Sequence, residues 1–418
     1  MEHAVPNMAS AVVQTIVRME FPNTDIPLTA MATAGRQNKS HWLQKLERRS
    51  RDLEALIFWS GTTAPNRPRD NFTLPSGTCD SRTTRPHYND ISMVFPLSSR
   101  ETLKLRLAVF DWYDASRRDL PWRRDRDPYR VWVSEIMLQQ TRVAAVLHHY
   151  ARWIERFPTV QDLAKAREQS VLALWSGLGY YHRARRLHKA AKVIVRERKG
   201  EFPCTAEEWR ELPGIGRYTA RAIASIAFGE AVAVVDGNVE RVLDRMFGTS
   251  DDRERNWQRA AALLDRTRPG DFNQAIMELG ATVCTPRAPQ CLICPLRDGC
   301  QSRGSKSLKP QPVRKQKQLH YAFACEGGSV LLVQRSHDAK RMAGMWELPE
   351  IDPPNDEPIA TFRHSITNSD YLVAVHPAPG ALLESLNGNA RWSSRKRWEK
   401  MALTGLTRKV LRKLAPAT

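Results

Sequence analysis

Between Glu101 and the cysteine-rich stretch that ends at Cys300, apolar residues recur at helical spacing and rarely alternate. Val143, Leu147, Tyr150, Ile154 and Phe157 fall at alternating intervals of four and three, which marks one buried face of an amphipathic helix. The same texture predicts helices over 101–115, 168–176, 183–198, 205–211, 217–228, 238–247, 254–266 and 271–283. Strand signals are nearly absent there, so 99–302 is expected to be a mainly α domain. After Gln318 the period changes. HYAFACEGGSVLLVQR reads as a β-hairpin of two apolar strands around a Gly-Gly turn, TFRHSITNSDYLVAV adds another strand, and Arg395 to Leu414 reads as a terminal helix. Residues 319–418 should form a small α+β domain.

Composition adds a partner class. A net charge of +19 and a pI near 9.9 call for a polyanion, because each phosphate neutralised by Lys or Arg releases counterions. Nucleic acid is the first candidate and an anionic membrane surface the second. No apolar run approaches the roughly 18–20 residues of a membrane span, and the start of the chain lacks a charged-then-apolar signal pattern. A soluble intracellular monomer without membrane association is therefore expected, cytoplasmic and nucleoid-associated in a bacterium. Residues 1–98 show little periodicity outside Trp42 to Trp59 and are rich in Pro, Thr, Ser, Asn and Arg from Ser60 onward, so most of this extension should be disordered. It is either a basic tail with weak DNA affinity or a segment that translation from a later start, near Met93, leaves out. The stretch RGSKSLKPQPVRKQKQ, 303–318, has no acidic residue and two prolines, the composition of a basic linker.

Candidate chemistry is concentrated in three places. Cys284, Cys291, Cys294 and Cys300 lie within seventeen residues, a density that favours a metal site over a disulfide framework; ligand rules leave zinc and an iron–sulfur cluster both open. Leu212 to Arg241 begins with a Pro-Gly-x-Gly turn leading into an apolar helix, where Gly214 and Gly216 would present backbone N–H groups to an anion such as a DNA phosphate. The same stretch ends on Asp236 in a Val-Asp-Gly-Asn turn, where an Asp can cap the next helix or do chemistry. Glu135, in WVSEIMLQQT, is read as standing at the start of the helix that carries Val143, where a carboxylate would favour the macrodipole.

Taken together, LPWRRDRDPYRVWVSEIMLQQTRV, WSGLGYYHRARRLHKAA, LPGIGRYTARAIASIAFG, VDGNVERVLDR and NQAIMELGATVCTPRAPQCLICPL resemble the helix-hairpin-helix DNA glycosylases related to endonuclease III, over roughly 101–301. Among these they are most similar to the MutY family of adenine DNA glycosylases. The resemblance implies a 4Fe-4S cluster on the four cysteines. It implies that Glu135 protonates the departing adenine and then helps to activate water, a role that needs a raised pKa in a partly apolar pocket such as Trp132, Ile136 and Met137 would supply. It makes Asp236 the carboxylate that stabilises an oxocarbenium-like sugar, with Asn238 hydrogen-bonding beside it. Bifunctional relatives carry a nucleophilic Lys where this chain has Tyr218, so base removal by water without Schiff-base strand cleavage is expected.

The resemblance also places Leu138, Gln139, Gln140 and Tyr180 against the duplex, with Gln140 and Tyr180 intercalating as the target base is extruded. Arg287 of the cysteine loop is a further expected DNA contact. The carboxy-terminal part resembles the Nudix-like domain that reads 8-oxoguanine, without the Nudix hydrolase box. Ile366, Thr367 and Asn368 stand where the family has Phe-Ser-His. The substrate implied is duplex DNA with adenine opposite 8-oxoguanine or guanine. Two rival functions follow from the same fold: a glycosylase/AP lyase for oxidised pyrimidines, and a non-catalytic DNA-binding paralogue.

Overall fold

The computed structural model describes residues 97–248, 252–303, 314–339, 342–366, 369–380, 382 and 389–415. All belong to one compact unit, Gly77–Thr418. The expected disordered extension falls, apart from its last two residues, outside the described residues, as does most of the basic linker.

The helical part comprises α1 (Ser99–Ser116), α2 (Pro128–Leu138), α3 (Val143–Arg156), α4 (Val160–Lys165), α5 (Glu168–Trp175) and α6 (His182–Glu197). It continues through α7 (Ala206–Glu211), α8 (Arg217–Phe228), α9 (Gly237–Phe247), α10 (Arg253–Leu263) and α11 (Pro269–Thr282). Local chemistry sets many of these ends. Ser98, Thr159 and Thr205 form reciprocal capping boxes with Glu101, Asp162 and Glu208. Pro128 opens α2 behind the Asp127 cap, and Gly229 and Gly248 close α8 and α9 in the left-handed conformation that a Cβ disfavours.

Two expectations about this region need correction. Glu135 is not at the start of the Val143 helix; it lies in the last turn of a separate helix, α2, so it cannot serve a helix N-terminus. The break comes at Gln139–Gln140, where Gln140 takes φ 55°, and neither Gly nor Pro marks it in the sequence. The buried face of α3 is also rotated by about one residue: Val146, Tyr150 and Trp153 are buried, with Phe157 just after the helix, while Leu147 is exposed.

The helices pack around two apolar clusters. One draws on α2 through α8 and centres on Trp132, Trp153, Trp175 and Trp209; the other draws on α1, α9, α10 and α11. Tyr218 of α8 and Met277 of α11 pack against both, so they mark the seam. Close approach of α9 to α11 depends on Gly280, where a Cβ would lie 2.6 Å from Cβ of Asn238 and 2.8 Å from its carbonyl oxygen.

The carboxy-terminal part contains β1 (Lys315–Phe323), β2 (Cys325–Glu326), β3 (Ser329–Gln334), β4 (Trp346–Glu347), β5 (Ala360–Ile366), β6 (Ser369–Pro377) and β7 (Ala390–Ser394). Two helices follow, α12 (Arg395–Trp398) and α13 (Gly405–Leu414). The order β1-β6-β5 makes one sheet, with β1 parallel to β6 from Lys315↔Ser369 and β5 antiparallel to it; β2, β4 and β7 all pair with β3 in the other.

The expected α+β class agrees with these elements, but their connections differ from expectation. The Gly327-Gly328 turn joins only the short β2 to β3, while the apolar strand β1 pairs with β6 some fifty residues away. TFRHSITNSDYLVAV makes two strands, not one, and the terminal helix is broken between Trp398 and Gly405. Pairing with β6 also draws Lys315 to Gln318, expected to be linker, into β1. A separate apolar core underlies the sheets, formed by residues such as Val330, Val373, Trp398 and Val410. Among the described residues no helix is long and apolar enough to cross a membrane.

Candidate active site

The seam between the two helical clusters brings together carboxylates about a hundred residues apart in the chain. Glu135 comes from α2 in the first cluster, and Asp236 from the N-terminus of α9 in the second. Trp132, Ile136 and Met137, expected to supply an apolar surrounding for Glu135, are all buried with it.

The two acids are held differently. Glu135 accepts one strong hydrogen bond, from the Tyr218 hydroxyl to Oε2 at 2.8 Å; the same hydroxyl lies 3.2 Å from Met277 Sδ. Burial pushes the Glu135 carboxyl up to about 7; the Tyr218 hydrogen bond opposes the rise, the charge of Asp236 adds to it, and Arg123 draws it back. Asp236 instead caps α9. Its Oδ1 accepts from the backbone N–H groups of Asn238 at 2.9 Å and Val239 at 2.8 Å, and its Oδ2 accepts from Asn238 Nδ2 at 2.9 Å. Burial raises the Asp236 pKa above its ordinary value, while the Val239 and Asn238 donors pull it down. Three donors favour the charged form of Asp236, while at Glu135 the single hydroxyl donor is outweighed by burial. The arrangement therefore sets two carboxyls with different surroundings in the same cleft, that of Glu135 raised to about 7 and that of Asp236 raised by burial against three opposing donors. Burial raises the Tyr218 phenol well above its usual value, so it serves as a neutral donor.

Two arginines tie α9, which Asp236 caps, to the cysteine loop. Arg241 Nη2 donates to Asn238 Oδ1 at 2.8 Å and to the Gly280 carbonyl at 2.7 Å, while its Nε donates to the Cys284 carbonyl at 2.8 Å. Arg245 Nη1 donates to the Thr285 carbonyl at 2.8 Å and lies 3.3 Å from Cys284 Sγ. The expectation from the sequence named neither arginine; both sit one turn apart on α9, in VERVLDR, a pattern that also describes an ordinary solvated helix face.

Cys284, Cys291, Cys294 and Cys300 line one open cavity of about 450 Å³, counting the solvent at its mouth, with Val242, Met246, Leu279 and Val283 among its apolar walls. Burial, with the other three thiols, pushes the Cys294 thiol up to about 11; a bare thiolate is disfavoured there, and ligation to a metal would supply the missing compensation. Four soft ligands on an apolar wall fit an iron–sulfur group. Arg287 is exposed on the same loop.

Gln140 at φ 55° and Tyr180 at φ 48° are both non-glycine residues in the left-handed region, and both are exposed. Leu138, half-buried, ends α2. Gln139 turns inward and donates from Nε2 to Thr219 Oγ1 at 3.1 Å. Buried Arg183 joins the two loops, donating to the carbonyls of Ile136, Met137 and Gln139 on one and of Leu178 and Gly179 on the other. Nothing in the RRL-rich sequence around it distinguishes this arginine from its exposed neighbours. Gly214, at φ 84°, makes the tight turn before α8, and a Cβ there would lie 2.5 Å from Cβ of Arg186. Gly216 caps α8 without any side chain on its first amides, which leaves them for an outside acceptor. Of the residues expected to read the opposing base, Thr367 and Asn368 lie outside the described residues, and Ile366 closes β5.

Residues 133–266 match the HhH-GPD superfamily of base excision DNA repair proteins, and residues 284–300 match the iron-sulfur binding domain of endonuclease III. Adenine DNA glycosylase of Homo sapiens is 52% identical over 218 residues, 49% of this chain and 40% of that protein. The Arabidopsis thaliana adenine DNA glycosylase is 42% identical over 330 residues, 66% of this chain and 52% of that one. The Rattus norvegicus adenine DNA glycosylase is 52% identical over 344 residues, covering 67% and 66%. The chain thus spans about half the length of the first two relatives.

Proposed function

The chain belongs to the HhH-GPD superfamily of base excision DNA repair proteins, with an iron–sulfur loop, and we propose that it is a monofunctional adenine DNA glycosylase. The observation that carries this reading is the Tyr218–Glu135 hydrogen bond in a buried cleft that also holds Asp236. Glu135, protonated near neutrality, donates its proton to the adenine ring and makes the base a better leaving group. Asp236, fixed by three donors, faces the positive charge that develops on the sugar as the N-glycosidic bond breaks. Glu135, by then a carboxylate, accepts a proton from the attacking water, and the products are free adenine and an abasic site. Tyr218 offers a hydroxyl where a lyase needs an amine, so no Schiff base forms.

The substrate is duplex DNA with adenine opposite 8-oxoguanine or guanine. Gly214 and Gly216 present helix amides to a phosphate, Gln140 and Tyr180 enter the stack as adenine leaves it, and Arg287 adds a backbone contact from the cluster loop. The carboxy-terminal part acts as a Nudix-like reader of the opposing base, with Ile366, Thr367 and Asn368 at the contact. Cys284, Cys291, Cys294 and Cys300 would hold a 4Fe-4S cluster, and their ligation would tie the loop 284–300 together. The protein works as a monomer, in the nucleoid if the cell is bacterial.

Single-turnover assays on duplexes with adenine opposite 8-oxoguanine, guanine or thymine test the reading. Wild type should release adenine from the first two without a borohydride-trapped adduct, and Glu135→Gln and Asp236→Asn should each lose most of the rate. Undiminished cleavage by Glu135→Gln, or strong trapping, would sink it.

A further inference from the structure

The loop that presents Tyr180 is gripped from two sides. Arg183 holds it to the helical part, and the carboxy-terminal part holds its two flanks. The buried Tyr181 hydroxyl donates to the Leu403 carbonyl at 3.2 Å, and the buried Ser176 hydroxyl donates to the same carbonyl at 3.0 Å. A carbonyl oxygen has two lone pairs, so both donations are accommodated. Arg408 of α13 donates from Nε to Ser176 Oγ at 2.9 Å and from Nη2 to the Met401 carbonyl at 3.3 Å. Around this point Met345 and Ala402, both from the carboxy-terminal part, are fully buried in the first helical cluster. Gln169 Nε2 donates to the Gly344 carbonyl at 3.1 Å, and Arg185, paired with Glu168, donates to the Ala343 carbonyl. The exposed Tyr180 therefore projects from a segment whose neighbours on both sides, Ser176 and Tyr181, are bonded to one backbone carbonyl of the other part.

We propose that Ser176, Tyr181, Arg408 and the Leu403 carbonyl form a latch through which the carboxy-terminal part sets the position of Tyr180, with Tyr181 as a positioning residue for opposing-base specificity. The specificity claim rests on the function proposed above. Reading the opposing base moves or holds the carboxy-terminal part, the shared carbonyl moves with it, and the wedge follows. Selection for 8-oxoguanine over guanine is then expressed partly through the wedge and not only through contacts to the oxidised base.

The test uses the full chain as wild type, Tyr181→Phe and Arg408→Met, with single-turnover rates measured on adenine opposite 8-oxoguanine and opposite guanine. Tyr181→Phe, which removes one buried hydrogen bond to Leu403, should lower the ratio of the two rates by about three- to tenfold, and Arg408→Met, which removes two bonds, by at least as much. The guanine rate and the melting temperature should stay near wild type. The double variant should fall no further than the worse single, because both act on one device. A second readout places 2-aminopurine beside the opposing base in complexes of the Glu135→Gln protein, where stacking of Tyr180 changes the fluorescence and Tyr181→Phe should reverse part of that change. An unchanged ratio and unchanged fluorescence, or equal loss on both duplexes, overturns the latch. Wild type that releases adenine from neither duplex overturns the functional reading instead, and the 2-aminopurine signal still decides whether the latch positions the wedge.

Discussion

Glu135 stores a cost that shows in its pH behaviour. Its carboxyl titrates near 7 in the folded chain and near 4.5 when exposed, so the folded state binds the extra proton between those values. Stability from this group is complete below about pH 4.5 and is lost as pH rises toward 7, at a limiting slope of about 1.4 kcal/mol per pH unit. Glu135→Gln should therefore melt higher than wild type at pH 8 and show no such gain at acid pH; equal melting curves at pH 8 would contradict the burial of the charge. Adenine release should fall about tenfold per unit above pH 7 and also fall at low pH, where Asp236 gains its proton. Tyr218→Phe removes the donor that favours the Glu135 carboxylate, which a hydrogen bond of about 1 kcal/mol translates into an alkaline limb moved up by roughly half to one pH unit. A limb that moves down would mean that Tyr218 acts in another way. The residue types at these positions were legible in the sequence, including the Tyr in the lyase position. The Asn238 bond to Asp236, two residues away, was legible with them; the Tyr218 bond to Glu135 was not, because it joins helices from distant parts of the chain.

At the level of elements, the site depends on how closely α9 can lie on α11. Gly280 permits that approach, and Asn238 is the residue that a Cβ there would strike. Gly280→Ala should displace the Asn238 amide from Asp236, cost about 1–3 kcal/mol of stability from overpacking, and slow adenine release by about tenfold or more at temperatures where the protein is folded. A normal rate in a folded variant would show that Asn238 is dispensable to Asp236. Helix boundaries were readable wherever a cap or glycine declares them, as at Thr205, Gly216 and Gly229. The α2–α3 break has no local signature because Gln139 and Gln140 carry no turn signal, and the residues on either side of the left-handed Gln140, Gln139 and Thr141, are bonded to Arg183 from another helix. In the same way, β1 looked like half of a hairpin until its partner proved to be β6; period-two alternation identifies a strand and says nothing of which strand it joins.

For the whole molecule, the proposed function makes charge the governor of the approach to DNA. With a net charge of +19, the logarithm of the DNA association constant should fall linearly and steeply with the logarithm of salt concentration; six to ten phosphate contacts would weaken binding by about 10³–10⁵ between 50 and 200 mM. Fluorescence anisotropy on an undamaged duplex checks this, and a nearly flat dependence would argue against the polyanion reading. The two helical clusters give each carboxylate its own support, so the cleft is a seam between cores and not a pocket within one.

The sequence by itself determined the kinds of chemistry available: four closely spaced thiols, a Gly-x-Gly turn before a helix, two acids, and a tyrosine where the resemblance puts a lysine in lyases. It also determined most helix ends, since caps and left-handed glycines act within a few residues. Only the tertiary structure decided that Glu135 and Asp236 meet, that Tyr218 bonds to the first, that Arg183 ties the Gln139 and Gly179 loops together, and that Tyr181 reaches Leu403. Those outcomes come from packing summed over many distant side chains, and no local spacing carries that sum.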